Sequence, residues 1–512
     1  RGFITVPGGT TMHTLYSNAQ KYDHKQLFPV PVMLQKRAID YFISRMDLSD
    51  AKRSVLTEFE FINGIDEMLP INMKTSCGFL TPWIKKKEAF EVFDSPLRLY
   101  DVSRFTDVAR KRELAPYKLT LLELINDNEA RVRDGLAPHS FWLATNKDEL
   151  RKVEKVTLGK TRVFEQSSLD MTLLMRKYFG NFINWYKRHA GFKMHHLIGQ
   201  DKEAVWKTVY NEMLSISPRG FDLDYREYDG SVGQPAIDFF LAITDHYYGP
   251  DHKQARHSLM SHVYEGFVIT GDYLVATTRG NKSGNVMTDV LNSVTNVWLN
   301  YIMYMLSRKM IGLAPVMDDF DSHVRMLTYG DDVISAVSPA ALTYFNRSVC
   351  VEIGALLGYT ITSAKKGEDI IPDEPLQDLT FLKSSFVDDG QVVFAPLPKE
   401  VIYKELIWQR KANRGDSEVM KCRIEGALRD MSMHGEDQLL TLIAQLKENF
   451  VSTEFDYDDW YLTLQEKQRV DTIETITVRS RIDTEDFYLR STQDATEILA
   501  SYQDEIDSGF EC

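Results

Sequence analysis

Two apolar, β-prone runs, Arg325-Met326-Leu327-Thr328-Tyr329 and Val333-Ile334-Ser335-Ala336-Val337, are separated only by Gly330-Asp331-Asp332. So short a gap predicts a hairpin, with Gly330 free to take the positive φ that a tight turn needs. The tip then carries two adjacent carboxylates. Like charges held together at low dielectric repel, so the pair needs either full solvent or a cation. A solvent-exposed turn is the ordinary alternative, since Gly-Asp is a favoured turn pair.

A second predicted strand, Phe221-Asp222-Leu223-Asp224-Tyr225, places Asp224 near its end, with Asp229 five residues later. If the strands lie side by side, Asp224 and Asp331 face one another, with Asp332 beside them. Such hard oxygen donors suit Mg²⁺, which takes one or two carboxylates together with substrate phosphates. Two ions ~3.5–4 Å apart can clamp an attacking hydroxyl and a leaving pyrophosphate. For Asp229 alone, capping a helix N-terminus is an equally open role. A third segment is Arg279-Gly280-Asn281-Lys282-Ser283-Gly284-Asn285, followed by Thr288 and Asn292. Ser283 reads as an N-cap; Ser283 and Thr288 are also candidate ligand contacts, with Asn292 one turn further on the same face. The glycines are a weak phosphate signal, and no GK[ST] follows at Walker spacing.

The rest of the chain sets the frame. The spacing predicts extended loops over 1–30 and an amphipathic helix from Val32 to Met46, with Leu34, Ala38, Ile39, Phe42 and Ile43 on one stripe. Helix is expected over most of 98–134, in Lys202–Leu214, near 233–247 and over 284–306. A strand, a turn at Gly159 and a strand are expected over 153–164, and a hairpin over 266–278. After Pro396 and Pro398 the pattern is helical. At 512 residues the chain exceeds a single core of about 250–300 residues. The net charge of -14 argues against a nucleic-acid partner until its distribution is considered. Residues 451–512 hold 16 Asp/Glu against 5 Lys/Arg, leaving 55 basic and 58 acidic residues before them. Basic clusters at Lys85–Lys87 and from Lys147 to Arg162 can therefore serve a polyanion, although a solvated face is the common use of a charge run. Cys77, Cys350, Cys422 and Cys512 show no disulfide or metal spacing, which suggests a reducing compartment. No apolar run reaches the roughly 20 residues of a membrane span, and no signal pattern is evident; a soluble cytosolic protein is expected.

Taken in order, these segments resemble the RNA-dependent RNA polymerase of picornavirus-like positive-strand RNA viruses. Thr75-Ser76-Cys77-Gly78 is similar to that family's template-entry motif. Lys147-Asp148-Glu149-Leu150-Arg151 and Gly159-Lys160-Thr161-Arg162 resemble its basic nucleotide channel. Asp224-Tyr225 with Tyr228-Asp229 matches the first palm motif, and Ser283-Gly284 with Thr288 and Asn292 the second. Tyr329–Asp332 is the third, Ala364-Lys365-Lys366-Gly367 the fourth, and Thr380-Phe381-Leu382-Lys383 the fifth. Two positions depart: Ser384 follows Lys383 where the family commonly has Arg, and Gly280-Asn281-Lys282 replaces Gly-Met-Pro before Ser283-Gly284.

The resemblance implies an α+β right-hand polymerase fold with an antiparallel palm sheet and a helical thumb. Fingers with their N-terminal fingertips fall in 1–200, palm in 201–395 with a fingers insertion around 245–282, and thumb in 396–512. It implies two Mg²⁺, replaceable by Mn²⁺, on Asp224, Asp331 and Asp332, with Lys366 as general acid. Lys147, Arg151, Lys155, Lys160 and Arg162 would contact the triphosphate, and Asp229, Ser283, Thr288 and Asn292 the nucleotide. Thr75, Ser76, Gly78, Gly284, Leu382 and Lys383 would contact template or primer RNA. Implied partners are NTPs, RNA, a small genome-linked protein primer and other viral replication proteins. The place implied is the host cytoplasm at membrane-associated replication complexes, after release from a polyprotein. Two rivals stand: a reverse transcriptase, which usually has a bulky aromatic residue in place of Asp229, and a non-enzymatic RNA-binding scaffold.

Overall fold

The Arg219–Arg226 strand lies inside an antiparallel five-stranded sheet. On one side it pairs with Asp332–Val337, which forms a hairpin with Val324–Tyr329; on the other it pairs with Thr360–Thr362 and Glu374–Pro375. The open edge of Val324–Tyr329 is occupied by the backbone of 195–197: Thr328 N donates to His195 O at 2.9 Å, and Leu197 N donates to Thr328 O at 3.1 Å. An edge taken up in this way cannot recruit a foreign strand. A second sheet runs Val163–Gln166, Trp142–Asn146, Glu265–Thr270, Tyr273–Thr278, with its middle pair parallel. The computed structural model describes residues 3–6, 10–13, 20–22, 28–73, 75, 77–78, 90–91, 98–99, 121–147, 153–154, 162–271, 273–362, 370–407 and 417–449.

The helix Thr288–Met310 packs beside the first sheet, against Val32–Arg45, Gln234–Tyr248, Arg347–Leu356 and the Val324–Tyr329 strand. It is buried from Val290 to Met305, which is why its sequence is apolar around most of its girth. The Val32–Arg45 helix buries Leu34, Ala38 and Phe42. The large apolar side chains there contribute about 1.5–3 kcal/mol each. Asp222, two residues before the half-buried Asp224, is itself fully buried and is paired. Arg347 Nη2 lies 2.8 Å from Asp222 Oδ1 and 2.7 Å from Glu374 Oε2, while Nε donates to Asp222 O at 3.0 Å. This buried cation joins the two strands, and its loss would leave both carboxylates unpaired in the interior.

Among the described residues the chain forms two compact units. One comprises 1–200 and 209–386, the other 201–208 and 387–449. The latter holds the helices Lys399–Ile407, Ser417–Ser432 and Glu436–Asn449 around Ile402, Ile424, Leu428, Leu439 and Leu442. No helix among the described residues is long and apolar enough to cross a membrane.

Three local expectations are corrected. Val153 and Glu154 are helical instead of extended, and Arg98–Leu99 is a strand. The helix expected from 284 begins at Thr288, capped by Met287 without a side-chain bond, so Ser283 is no N-cap. The backbone of Gly284 is instead taken up in a parallel bridge to Gln166, and a backbone committed to a bridge cannot start a helix. The segments 155–161, 363–369 and 451–512 lie outside the described residues.

Candidate active site

Gly330 takes φ +64°, and Tyr329 pairs with Asp332 across it, so Gly330 and Asp331 form a two-residue hairpin loop. Positive φ at the first loop position only is the sign pattern of a type II′ turn. Two side chains of the Thr288–Met310 helix fasten this tip. Gly330 N donates to Ser293 Oγ at 2.7 Å, and Asn296 Nδ2 donates to the carbonyls of Gly330 and Asp331, each at 3.1 Å. Asn296 Oδ1 in turn accepts from Tyr225, the residue after Asp224, at 3.1 Å. One buried asparagine thus ties the acidic tip to the neighbouring acidic strand. The sequence reading missed Ser293 and Asn296. Their signal was a polar ridge, Asn292, Ser293, Asn296 and Asn300, on a helix that is buried over most of its length.

Leu223 pairs with Val333, so one step along the antiparallel register Asp224 stands opposite Asp332. Opposed residues share a sheet face. The charges feel each other. Burial, then Asp331 and Asp224, push the Asp332 carboxyl up to about 6, against a lowering by Lys383. Asp331 is exposed by surface area, yet crowding of its carboxyl by protein atoms raises it, and Asp224 raises it further; Arg162 opposes this. These are hard oxygen donors under mutual repulsion, which a divalent cation relieves. Among the described residues no three His, Cys, Asp or Glu side chains close into a ready-made metal cage. An open carboxylate set completed by water and phosphate is the Mg²⁺ pattern, so the residues present fit that ion.

Beside the carboxylates lies a polar chain. Asn292 Nδ2 donates to Asp229 Oδ1 at 2.7 Å, and Asn292 Oδ1 accepts from Asn281 Nδ2 at 2.9 Å. Burial raises Asp229, and Asp331 and Glu165 add to this while the Asn292 bond lowers it. Ser283 Oγ donates to Glu165 Oε2 at 3.0 Å, and Glu165 pairs with Lys21 at 2.7 Å. Burial alone would lift the Glu165 carboxyl, but Lys21, Tyr22 and Ser283 hold it below its usual value. Thr288 Oγ1 donates back to Asn285 O at 2.6 Å and Ser283 O at 3.2 Å, so it shapes the loop. A Cβ on Gly284 would lie 2.1 Å from Glu165 O, which explains glycine there.

The remaining candidates are distributed. Lys147 and Arg162 are both exposed and adjoin through Lys147 N donating to Arg162 O at 2.8 Å. Leu382 and Lys383 take φ of +52° and +63° in a turn closed by the reciprocal 2.9 Å bonds of Phe381 and Ser384. Two successive left-handed non-glycine residues are costly and persist only where surroundings enforce them. One enforcer is Asp222, whose Oδ2 accepts from Thr380 N at 2.9 Å. Gly78 packs against Ser167 and Ser168 at the head of the Leu169–Arg188 helix, and exposed Thr75 donates to Asn72 O at 3.0 Å. Ser76, Arg151, Lys155, Lys160 and Lys366 lie outside the described residues.

The chain is similar to several known proteins. The chain is 30% identical over 407 residues to the genome polyprotein of Rice tungro spherical virus, covering 75% of this chain and 11% of that protein. It is 28% identical over 327 residues to the replicase polyprotein of Acute bee paralysis virus (62% and 17% covered). Against the replicase polyprotein of Drosophila C virus it is 26% identical over 416 residues (77% and 23%). The chain therefore spans about a tenth to a quarter of the length of these relatives. Its fold is that of a solved structure described as Sicinivirus 3Dpol RNA dependent RNA polymerase, with TM-score 0.68, 21% identity and 87% of each chain covered. The family model described as viral RNA-dependent RNA polymerase matches residues 6–450, and by that span the chain belongs to the viral RNA-dependent RNA polymerase family.

Proposed function

We propose that this chain copies an RNA template into RNA by two-metal nucleotidyl transfer, replicating the genome of a positive-strand RNA virus. The observation that carries the reading is the meeting of three carboxylates where the strands end: Leu223 pairs with Val333 and Tyr329 with Asp332, and the charge of Asp224 bears on both Asp331 and Asp332. Asp224, Asp331 and Asp332 would hold the ions. Two Mg²⁺ bound there, or Mn²⁺ in their stead, supply activation of a primer 3′-hydroxyl and neutralisation of triphosphate charge. The tie through Asn296 keeps the carboxylates in place before substrate arrives, so little reorganisation is needed during reaction.

Around that centre, Lys147, Arg151, Lys155, Lys160 and Arg162 grip the triphosphate, and Lys366 donates a proton to pyrophosphate. Asp229, Ser283 and Asn292 bond the ribose 2′-hydroxyl, with Thr288 holding the loop. A site built to bond a hydroxyl rejects the sugar lacking it, because its own buried polar groups then go unpaired. The Asp229–Asn292 hydrogen bond supports ribonucleotides over a reverse transcriptase. Retention of all three carboxylates supports an enzyme over a scaffold. Lys383 and Leu382 meet the primer strand; Thr75, Ser76, Gly78 and Gly284 line the template path. In this frame 1–200 are fingers, 201–395 palm with an insertion at 245–282, and 396–512 thumb. The partners are template and primer RNA, NTPs, a genome-linked protein primer and further viral replication proteins. The setting is cytoplasmic replication complexes on host membranes, after cleavage from a polyprotein.

The test is incorporation on poly(A) primed with oligo(U) in Mg²⁺, offering UTP or dTTP, with and without primer. UTP extension with dTTP rejected is the expected result. Preferred dTTP incorporation would transfer the chain to the reverse transcriptases, and no incorporation of either would favour the scaffold.

A further inference from the structure

Lys282 stands where the sequence departs from its family, and the reaction above gives it no task. It is fully buried, and its ammonium is held by three uncharged oxygens. Nζ donates to Tyr264 O at 3.0 Å, Thr277 Oγ1 at 2.6 Å and Arg279 O at 3.3 Å, and it sits 4.9 Å from the centre of the Tyr22 ring. Burial pulls this lysine down to about 7. An ammonium is a costly way to fill space, since an apolar side chain would pack there without losing hydration. What it supplies is direction: three donors aimed at three acceptors on separate segments. Tyr264 ends the Lys253–Tyr264 helix, Thr277 lies in the Tyr273–Thr278 strand, and Arg279 opens the loop itself.

The neighbours on either side of Lys282 belong to the polar chain beside the carboxylates. Asn281 N donates to Asp229 O at 2.7 Å, and its side chain fixes which way the Asn292 amide faces. With Asn292 Oδ1 occupied by Asn281, Asn292 Nδ2 is turned to Asp229. Ser283 is held on the other side by Glu165. A shift of the loop at 282 would therefore move both ends of the set that addresses the sugar.

We propose that Lys282 is a positioning residue for ribose selection, its ammonium pinning loop 279–283 to the 264–278 hairpin so that Asn281 and Ser283 stay in register. The inference rests on the ribose-reading role given above to Asp229, Ser283 and Asn292. A lysine in this position substitutes hydrogen bonds for the stiffness that a proline would give the loop.

The test uses the full chain on primed poly(A), measuring kcat/KM for UTP and for 2′-deoxy-UTP. The variants are Lys282→Met, Thr277→Val and Asn292→Ala, each checked for folding by circular dichroism. Lys282→Met is expected to lower the UTP/2′-deoxy-UTP ratio about tenfold, as misaligning one hydrogen-bonded contact would. The loss should fall on the KM for UTP and barely touch 2′-deoxy-UTP. Thr277→Val, which removes one of the three acceptors of the Lys282 ammonium, should move the ratio the same way by a smaller factor. A parental ratio in folded Lys282→Met and Thr277→Val, alongside a lowered ratio in Asn292→Ala, overturns the role of Lys282 alone. A parental ratio in all three overturns the ribose reading as well. Should Lys282→Met fail to fold, an unchanged ratio in Thr277→Val overturns the proposal by itself.

Discussion

Replacing Asp332 by asparagine should stabilise the metal-free protein while disabling it. The displacement of this carboxyl from its ordinary 3.8 to about 6 measures how much the fold disfavours its charge. At about 1.36 kcal/mol for each factor of ten, that is ~3 kcal/mol. Solvent reaches this half-buried side chain, so about 1–3 kcal/mol is the working range. The sign follows from linkage. The folded protein holds the proton more tightly than the unfolded chain, so the carboxyl destabilises once it ionises. The penalty is complete well above 6, shrinks as pH falls through that value, and vanishes below 3.8. Asp332→Asn removes it at constant shape. In chelator-treated samples, the variant should melt a few degrees above the parent at about pH 8, and the gap should close by about pH 4. Adding Mg²⁺ should then stabilise the parent more than the variant, because only the parent keeps the full ligand set. A variant no more stable than its parent at high pH would refute the electrostatic account. A gain of equal size at both pH values would also refute it, because it would come from something other than ionisation.

Other substitutions address separate parts of the account. Arg347→Met strands the carboxylates of Asp222 and Glu374 in the interior, and should cost roughly 3–5 kcal/mol in urea unfolding; a loss under about 1 kcal/mol would show the clamp to be dispensable. Gly284→Ala sets a methyl group 2.1 Å from the backbone oxygen of Glu165. It should shift the bridge to Gln166 and reduce extension sharply, so parental activity in the alanine variant would contradict the close approach. Lys160→Ala should raise the KM for nucleotide more than it weakens RNA association, and equal KM values would remove that lysine from the triphosphate grip.

Much of the acidic centre was legible because it is local. The apolar, β-prone runs on either side of Gly330 and the alternation around Leu223 announce strands, and only the pairing Val333 with Leu223 had to be supplied by the fold. The amphipathic stripe of Val32–Arg45 was readable for the same reason. What escaped depends on partners far apart in the chain. Nothing near Asp222 forecasts Arg347, 125 residues away, and nothing near Ser283 forecasts that Glu165 will claim its hydroxyl. The late onset of the helix at Thr288 has the same origin, because a bridge to Gln166 outcompetes the capping role that a serine before a helical pattern suggests. Asn292 was found by its spacing from Thr288. Ser293 and Asn296 were passed over, although Asn296 lies one turn beyond Asn292 on the same helix.

The most direct measurement of the central claim is UTP incorporation by Asp331→Ala on oligo(U)-primed poly(A) with Mg²⁺. The variant should keep its circular dichroism and its RNA affinity yet lose extension by on the order of a thousandfold or more, as removal of a charge-stabilising group from a reacting centre does. Parental rates of extension from a folded, verified Asp331→Ala protein would contradict the assignment of these carboxylates to catalysis.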